Sequence, residues 1–478
     1  VDINRYINYS FMITYIKING FKSFHNFEME FTPFTVLAGV NASGKSNLFD
    51  ALTLLSHMAE MNLKDAFKQQ QRGEFIELFM KYGDNLYADR MDFVVEMLVE
   101  KEVEDAWGAH EKLKYTRLKY ELSIKREINE FDIEDLRVVH ERLVNLKHDD
   151  DKWIKKISKS VIENWRPKVV TGKRGVPYID TDDSTGILTA VVSQDGGGGS
   201  KRTFPLSRAT QTVLSSFNSV EFRHIFAVRE EMKSWRFLQF NPDDLRKPSD
   251  KRPGVDIISS TGKDMAAALF RIKQSDSYNL IDISRKLNSF LPEFTKVDVI
   301  DDTENKQFVI QLTNKDNVNY SSRVLSEGTL RLLALCIMEF DDKHTGLLCF
   351  EEPENGIHPF RIKDMATLLK ELSTDFDYVE SPLRQVVVNT HSPILVNDIY
   401  RWKSDPNVCI WYMQMRTRIT TINGIKVKIN ITTSVPVDKD DYPKQLVITS
   451  FSKEELKYTL STVKQYLNAG STQNDTNE

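Results

Sequence analysis

The stretch FTVLAGVNASGKSNLFDALTLLSHMAE, residues 34–60, decides the fold. Phe34–Ala38 is an apolar run without alternation, as suits a strand buried on both faces. Gly39-Val40-Asn41-Ala42-Ser43-Gly44-Lys45-Ser46 follows at once and fits the spacing G-x-x-x-x-G-K-[ST]. From Lys45 to about Glu60, the residues Leu48, Ala51, Leu52 and Leu55 fall on one face of a helix. Strand, glycine loop and helix in that order make an anion cradle. Backbone N–H groups of the loop and of the helix N-terminus point at one place. The glycines let the backbone come close to a phosphate. Lys45 can reach the β- and γ-phosphates, and the Ser46 hydroxyl can ligate Mg²⁺. Gly39, Asn41, Ala42, Ser43, Gly44 and Asn47 complete the cradle.

Working outward, ITYIKI (13–18) and FEMEF (27–31) read as short alternating strands around the turn NGFKSF. Met12 opens a better strand than Val1, so residues 1–11 read as an extension without structural weight. MDFVVEMLV (91–99) and KYTRLKYELSI (114–124) predict two more strands, the second alternating as an antiparallel edge does. Residues 127–165 are charged, with Ile133, Leu136, Val139, Leu143, Leu146, Ile154, Ile157 and Val161 at spacings that predict helices. Residues 166–206 are broken by Pro, Gly and Asp, and GGGGS at 196–200 suits a flexible loop or an engineered linker; its neighbours favour a loop. A helix and the strand WRFLQF are expected within 220–245, helices at 262–273 and 277–290, and a hairpin at 296–313 around DDTENK. The remainder alternates. A helix starts near Gly328, strands fall at 347–350, 385–389 and 407–413, helices at 359–373 and 392–399, and a hairpin at 418–431. Strands alternating with helices imply a mainly parallel sheet. A last helix is expected over 452–467, followed by a polar, disordered tail.

The expected fold class is therefore α/β: a P-loop ATPase head with a mainly parallel sheet, an antiparallel sub-sheet and a mostly helical insertion. The expected division is 12–100 for the first part of the head, 101–300 for the insertion, 301–435 for the second part of the head, and 436–478 for the terminal helix and tail.

Composition removes other classes. Of 478 residues, 40% are hydrophobic and 28% charged, which excludes a disordered or fibrous chain. Mean hydropathy is -0.40, and no apolar run approaches the length of a membrane span. A net charge of -5 argues against binding driven by overall positive charge and leaves a local basic groove open. Cys336, Cys349 and Cys409 lack metal-ligand spacing and read as thiols of a reducing compartment. The opening VDINRYINYS has neither a basic n-region nor an apolar h-region, so a cytoplasmic location is expected.

Three further motifs carry chemistry. LLCFEEP (347–353) is an apolar strand ending in Glu351 and Glu352, which puts both carboxylates at the C-terminal edge of a parallel sheet, where ligands bind. The first can hold Mg²⁺ and the second can polarise an attacking water. VLSEGTLR (324–331) places Ser326 as the N-cap of a helix whose N-terminus, with Gly328, presents N–H groups outward. NTHSP (389–393) directly follows QVVV, so His391 sits at a strand end within reach of a γ-phosphate oxygen. Each has a plainer reading by itself: a solvated turn, a capped helix, a structural histidine.

Taken in order, these motifs resemble the ABC-type ATPases of the SMC, RecF and OLD branch. IKINGFKSFHNFEMEFTPFTVLAGVNASGKSNLFDAL (16–52) is similar to the opening of that group, and EEPENGIHP (351–359) and NTHSP are similar to the compact subgroup found in OLD nucleases and bacterial anti-phage systems. The resemblance covers 12–60 and 320–415 strongly and the middle by general pattern. It implies ATP and Mg²⁺ as ligands. Lys45 and Ser46 would hold phosphate and Mg²⁺, Glu351 would be the metal carboxylate where most relatives have Asp, and Glu352 would be the catalytic base. Ser326 and Gly328 would meet the γ-phosphate of a partner subunit, and His391 would be the switch histidine. Glu327 departs from the glycine usual in transporters. The Q-loop glutamine is open between Gln69, Gln70 and Gln71, for which a solvated helix is the favoured reading. The resemblance also implies head-to-tail dimers that sandwich two ATPs.

Three roles compete for such an ATPase. One is the nucleotide-gated sensor or scaffold of an anti-phage system with a separate nuclease or toxin effector, since the residues after 431 leave no room for the nuclease fold of OLD proteins. Another is a RecF-like ATPase that clamps duplex DNA, to which Lys147, Lys152, Lys155, Lys156, Lys159, Arg166, Lys168, Lys173 and Arg174 would contribute a basic track, unless they are a solvated face. A transporter subunit is disfavoured by the 279 positions between Ser46 and Ser326.

Overall fold

The computed structural model describes residues 12–70, 74–83, 86–128, 134–157, 162–167, 176–194, 201–252, 254, 256–377, 383–422 and 424–437, with Val463, Gln465, Tyr466 and Asn468 beyond them. The expected terminal helix and tail, residues 1–11, the GGGGS run and Gln71 lie outside the described residues, four isolated terminal positions apart.

Among the described residues two large sheets dominate, beside a four-stranded and a two-stranded one. The first has six strands in the order Arg236–Leu238, Gly346–Glu351, Arg384–Thr390, Phe34–Ala38, Val408–Ile422 and Ile425–Pro436. The first five run parallel and the last pairs antiparallel to its neighbour. Phe34–Ala38 and Arg384–Thr390 are buried along their whole length, as central parallel strands must be. Alternate residues of this sheet enter opposite cores. Leu347, Cys349, Val387 and Leu37 face one, with the P-loop helix Lys45–Met58; Leu348, Phe350, Val386, Val388, Phe34 and Val36 face the other, with the helices Glu327–Glu339 and Pro359–Leu372. The P-loop helix and the helix that follows Ser326 are therefore separated by the sheet. Arg384 fastens the second of these: its buried guanidinium donates to the carbonyls of Glu339, Asp341 and His344, where that helix ends.

The second sheet has eight antiparallel strands in the order Lys201–Pro205, Thr189–Ser193, Ile179–Asp182, Glu134–Asn145, Arg117–Ile128, Arg90–Leu98, Met12–Asn19 and Phe27–Glu30. It packs into the same core as the P-loop helix. The buried amide of Gln385 joins the two sheets, accepting from Ile13 N–H at 2.9 Å and donating to the Ile13 carbonyl at 2.7 Å. The fold is thus α/β with a mainly parallel sheet and an antiparallel one.

The middle of the chain corrects the expectation of a mostly helical insertion. Strands fill it up to Pro205; the longer helices Arg223–Ser234, Met265–Ser275 and Ser277–Phe290 come afterwards. Over 134–145 the expected helix is a strand. Its pairing with Arg117–Ile128 shifts register where Ser123 meets His140 and Ile124 meets Val138, leaving Val139 as the extra residue. The buried set is Leu136, Val138, Glu141 and Leu143. One bulged residue turns a period of two into gaps of two and three, which imitates a helical repeat.

Arg166 also lies elsewhere than a DNA-facing track requires. It is buried, donates to the Leu146 carbonyl and pairs with Asp151, which Arg117 holds as well. Lys159, Lys168, Lys173 and Arg174 fall outside the described residues. Cys336 and Cys349 are buried and Cys409 is half-buried. Among the described residues no helix is long and apolar enough to cross a membrane.

Glu231, on the helix Arg223–Ser234, gives the fold a pH dependence. It is wholly buried; Oε1 accepts from Trp235 Nε1 at 2.7 Å and Oε2 has no hydrogen-bond partner among the described residues. Burial pushes its acid up to about 8. A raised folded-state acid holds its proton longer than the unfolded chain does. Its contribution is complete below the unfolded value and is lost as pH rises from there toward 8. Glu231→Gln is expected to be about as stable as wild type at pH 5 and more stable at pH 8 by ~1–4 kcal/mol, read as a higher melting temperature at pH 8 alone. An identical difference in melting temperature at both pH values would contradict this.

Candidate functional site

Three adjacent parallel strands end together. Ala38, at the mouth of the glycine loop, pairs with Thr390, and Asn389 pairs with Glu351. The C-terminal edge of the sheet thus gathers the loop 39–46, both carboxylates and the histidine.

The loop's shape is imposed by its surroundings. Gly44 has φ +91°, and a Cβ there would stand 1.9 Å from Thr432 Oγ1; Gly39 has φ +151°, and a Cβ would stand 2.4 Å from the Met413 carbonyl. Both positions are closed to larger residues. Behind the loop runs a polar chain. Asn47 Nδ2 donates to Ser23 Oγ at 2.7 Å, Ser23 Oγ lies 2.6 Å from Thr432 Oγ1, and Thr432 N donates to the Ser23 carbonyl at 2.9 Å. Asn47, expected to line the ligand, is thus engaged from behind by the turn NGFKSF.

Lys45 Nζ donates to the carbonyls of Gly39 at 2.8 Å and Val40 at 2.9 Å, lying within the curl of the loop. Burial lowers its ammonium below the ordinary range, while Glu352, Glu354 and Glu351 pull the other way. Ser46 Oγ donates to Glu351 Oε1 at 2.8 Å, and Asn389 Nδ2 reaches both, at 3.3 Å and 3.2 Å. Two oxygen ligands held side by side by an amide suit a hard divalent cation that keeps its waters and takes phosphate oxygens. Among the described residues no group of three His, Cys, Asp or Glu side chains could hold a metal without such help.

Glu352 has φ +46°, an unfavourable backbone for a residue with a Cβ. Its N–H donates to the Asn389 carbonyl at 2.8 Å. Its carboxylate lies 2.8 Å from His391 Nδ1 through Oε1 and accepts from Asn355 Nδ2 at 2.8 Å through Oε2. The plane of the carboxylate is fixed while its side chain stays about one-third exposed, at 32%. A carboxylate held in this way can orient a water.

Ser326 caps the helix Glu327–Glu339, its Oγ accepting from Thr329 N–H at 3.2 Å. Glu327 is drawn back along the helix to Arg331 at 2.8 Å. Ser326 and Gly328 thus belong to the face opposite the P-loop helix. Gln70 is tied to Asp50 at 3.0 Å, so its amide is engaged on the P-loop helix.

A cavity of about 560 Å³ opens beside the loop, lined by Ser23, Asn47, Lys22, Tyr82, Tyr87 and Met415 among others. Asn389, Thr390, Glu354, Ser23 and Thr432 escaped the sequence reading. Asn389 had a usable signal, since it ends the same apolar run that delivers His391. Ser23 and Thr432 had none, because they meet the loop from opposite ends of the chain.

Residues 34–397 match the family described as "AAA domain, putative AbiEii toxin, Type IV TA system". No curated protein matches the chain. Similar solved structures include an SMC head bound to the C-winged helix domain of ScpA, at 14% identity over 89% of this chain and 98% of that one, with a TM-score of 0.46. The SMC head domain from Thermotoga maritima aligns at 13% identity over 89% and 99%, TM-score 0.36. An Smc head with an extended coiled coil, bound to the C-terminal domain of ScpA derived from Pyrococcus furiosus, aligns at 10% identity over 95% and 100%, TM-score 0.44. At these scores the likenesses carry no argument; the strand order, the glycine loop and the family match do. The chain belongs to this AAA-domain family of AbiEii type.

Proposed function

We propose that the protein binds and hydrolyses ATP as a nucleotide-gated dimer in the cytoplasm, and that it acts as sensor and scaffold of a bacterial anti-phage system by controlling a separate nuclease or toxin effector. One observation carries the ATPase reading: Ser46 meets Glu351, and His391 meets Glu352, at the same sheet edge.

The loop 39–46 and Lys45 would hold the triphosphate, exchanging the loop carbonyls now bound by Nζ for β- and γ-oxygens. Ser46 and Glu351 would hold Mg²⁺, which when bound neutralises charge on the β- and γ-phosphates. Glu352 would take a proton from the attacking water, with Asn355 keeping its carboxylate in plane. His391 would hold a γ-phosphate oxygen. Ser326 and Gly328 stand across the sheet from the P-loop helix, which supports their serving a second subunit's ATP rather than their own. Two head-to-tail copies would then enclose two nucleotides, and hydrolysis would open the joint.

Light scattering of Glu352→Gln with and without ATP tests the gating. ATP is expected to shift the variant toward the dimer mass. An unchanged mass and compactness would contradict the sandwich.

The AbiEii description and the compact motifs EEPENGIHP and NTHSP support the defence setting. A second reading, a RecF-like clamp on duplex DNA, draws on a different surface. Beyond Tyr412 the strands Val408–Ile422 and Ile425–Pro436 pair as a ribbon clear of Phe34–Ala38. This ribbon carries Arg416, Arg418, Lys426 and Lys428, with no acidic residue from Pro406 to Val437. A steep loss of duplex affinity with salt, ATP present, would favour the clamp; a nuclease or toxin gene next door would favour the sensor.

A further inference from the structure

Glu354 stands apart from the two carboxylates that precede it. It is 7% exposed and turned inward. Its Oε1 accepts from the Thr390 hydroxyl, and Oε2 has no hydrogen-bond partner among the described residues. Thr390 Oγ1 in turn accepts from Ser392 N–H at 2.9 Å. The hydroxyl has one proton, and it goes to Glu354; its lone pair takes the Ser392 N–H, so each role is used once. His391 lies between Thr390 and Ser392, and its Nδ1 reaches Glu352 at 2.8 Å. The turn is therefore held on both sides of the histidine by a chain that begins at Glu354. Burial raises the Glu354 acid, against the pull of the Thr390 hydroxyl. A neutral side chain of the same shape would fill this place equally well.

We propose that Glu354 is a positioning residue: it anchors the Thr390–Ser392 turn and so sets His391 against Glu352. This rests on the hydrolytic reading of the site and adds to it a carboxyl that touches neither the substrate nor the reacting atoms. Its nearness to Glu351 and Glu352 in sequence hides a different partner and a deeper burial.

The test compares Glu354→Ala, Glu354→Gln and Thr390→Val in the full chain. The first readout is the imidazole ¹⁵N spectrum of His391 without nucleotide, assigned by its loss in His391→Gln. The second is the split of kcat and KM for ATP. Glu354→Ala is expected to move the His391 signals and to lower kcat by ~10–100-fold, as a small misplacement of a reacting group does, with KM changed by less than about threefold because the loop 39–46 is intact. Glu354→Gln keeps the Oε1 acceptor and is expected to restore both readouts. Thr390→Val is expected to reproduce the alanine variant, and combining them to add little. Unmoved His391 signals in Glu354→Ala, failure of glutamine to rescue, or a KM that rises as much as kcat falls would overturn the proposal. If the wild type shows no turnover, the hydrolytic reading fails alone, and the imidazole spectra still decide the positioning. Should the alanine variant not fold, Thr390→Val breaks the same bond from the other side and decides alone.

Discussion

Glu352→Gln is expected to lower ATP turnover by ~10²–10⁴-fold, the range a positioned general base supplies, while leaving nucleotide binding in place. The variant keeps the volume of the side chain and an oxygen for one of its two partners, His391 or Asn355. It loses the negative charge and the capacity to take a proton. The binding groups on the other strand ends are untouched, since Ser46 pairs with Glu351. Phosphate release under saturating ATP, with binding followed by a fluorescent nucleotide, measures both halves. Turnover within a few-fold of wild type would remove Glu352 from the base position, and parallel losses of binding and turnover would mean that the change had disturbed the loop.

Lys45→Ala is expected to weaken ATP binding by at least about 100-fold. Two charge-assisted bonds to phosphate are lost, each worth ~1.5–3 kcal/mol. The loss is aggravated by what surrounds the ammonium. Glu351, Glu352 and Glu354 all act on Lys45. Without it the negative charges of Glu351 and Glu352 face the triphosphate across a half-buried site, where screening is weak. Lys45→Arg is expected to lose much of the affinity as well. The Nζ lies within 3 Å of two loop carbonyls, at 2.8 Å and 2.9 Å, and a guanidinium is too broad for that curl.

The parts of this molecule legible in its sequence are those written locally. Phe34–Ala38, the glycine loop and the helix from Lys45 come as one stretch, and a parallel strand without alternation announces its burial. The carboxylates at 351–352 and the histidine at 391 were readable because a strand end fixes where its next residue emerges. The hairpin around DDTENK and the helices near 265 and 277 followed from turn residues and periodicity. What failed did so for identifiable reasons. At Val139 a single extra residue shifted the phase of a strand and made it look helical. Arg166 looked like a phosphate contact because sequence gives its charge but not its burial beside Asp151. Thr432, which fills the space that a Gly44 side chain would need, meets the loop through the fold alone. Glu354 was visible as a residue in EEPEN but not as an inward-facing one, since consecutive positions in a tight turn diverge.

Calorimetric titration of Mg²⁺-ATP onto the full chain, wild type beside Lys45→Ala, probes the account where it is most exposed. A saturable heat with one nucleotide per chain, absent in the variant at the same concentrations, is the predicted outcome. Heat that is missing from both proteins, or equal in the two, would mean that the bend from Gly39 to Ser46 holds no triphosphate.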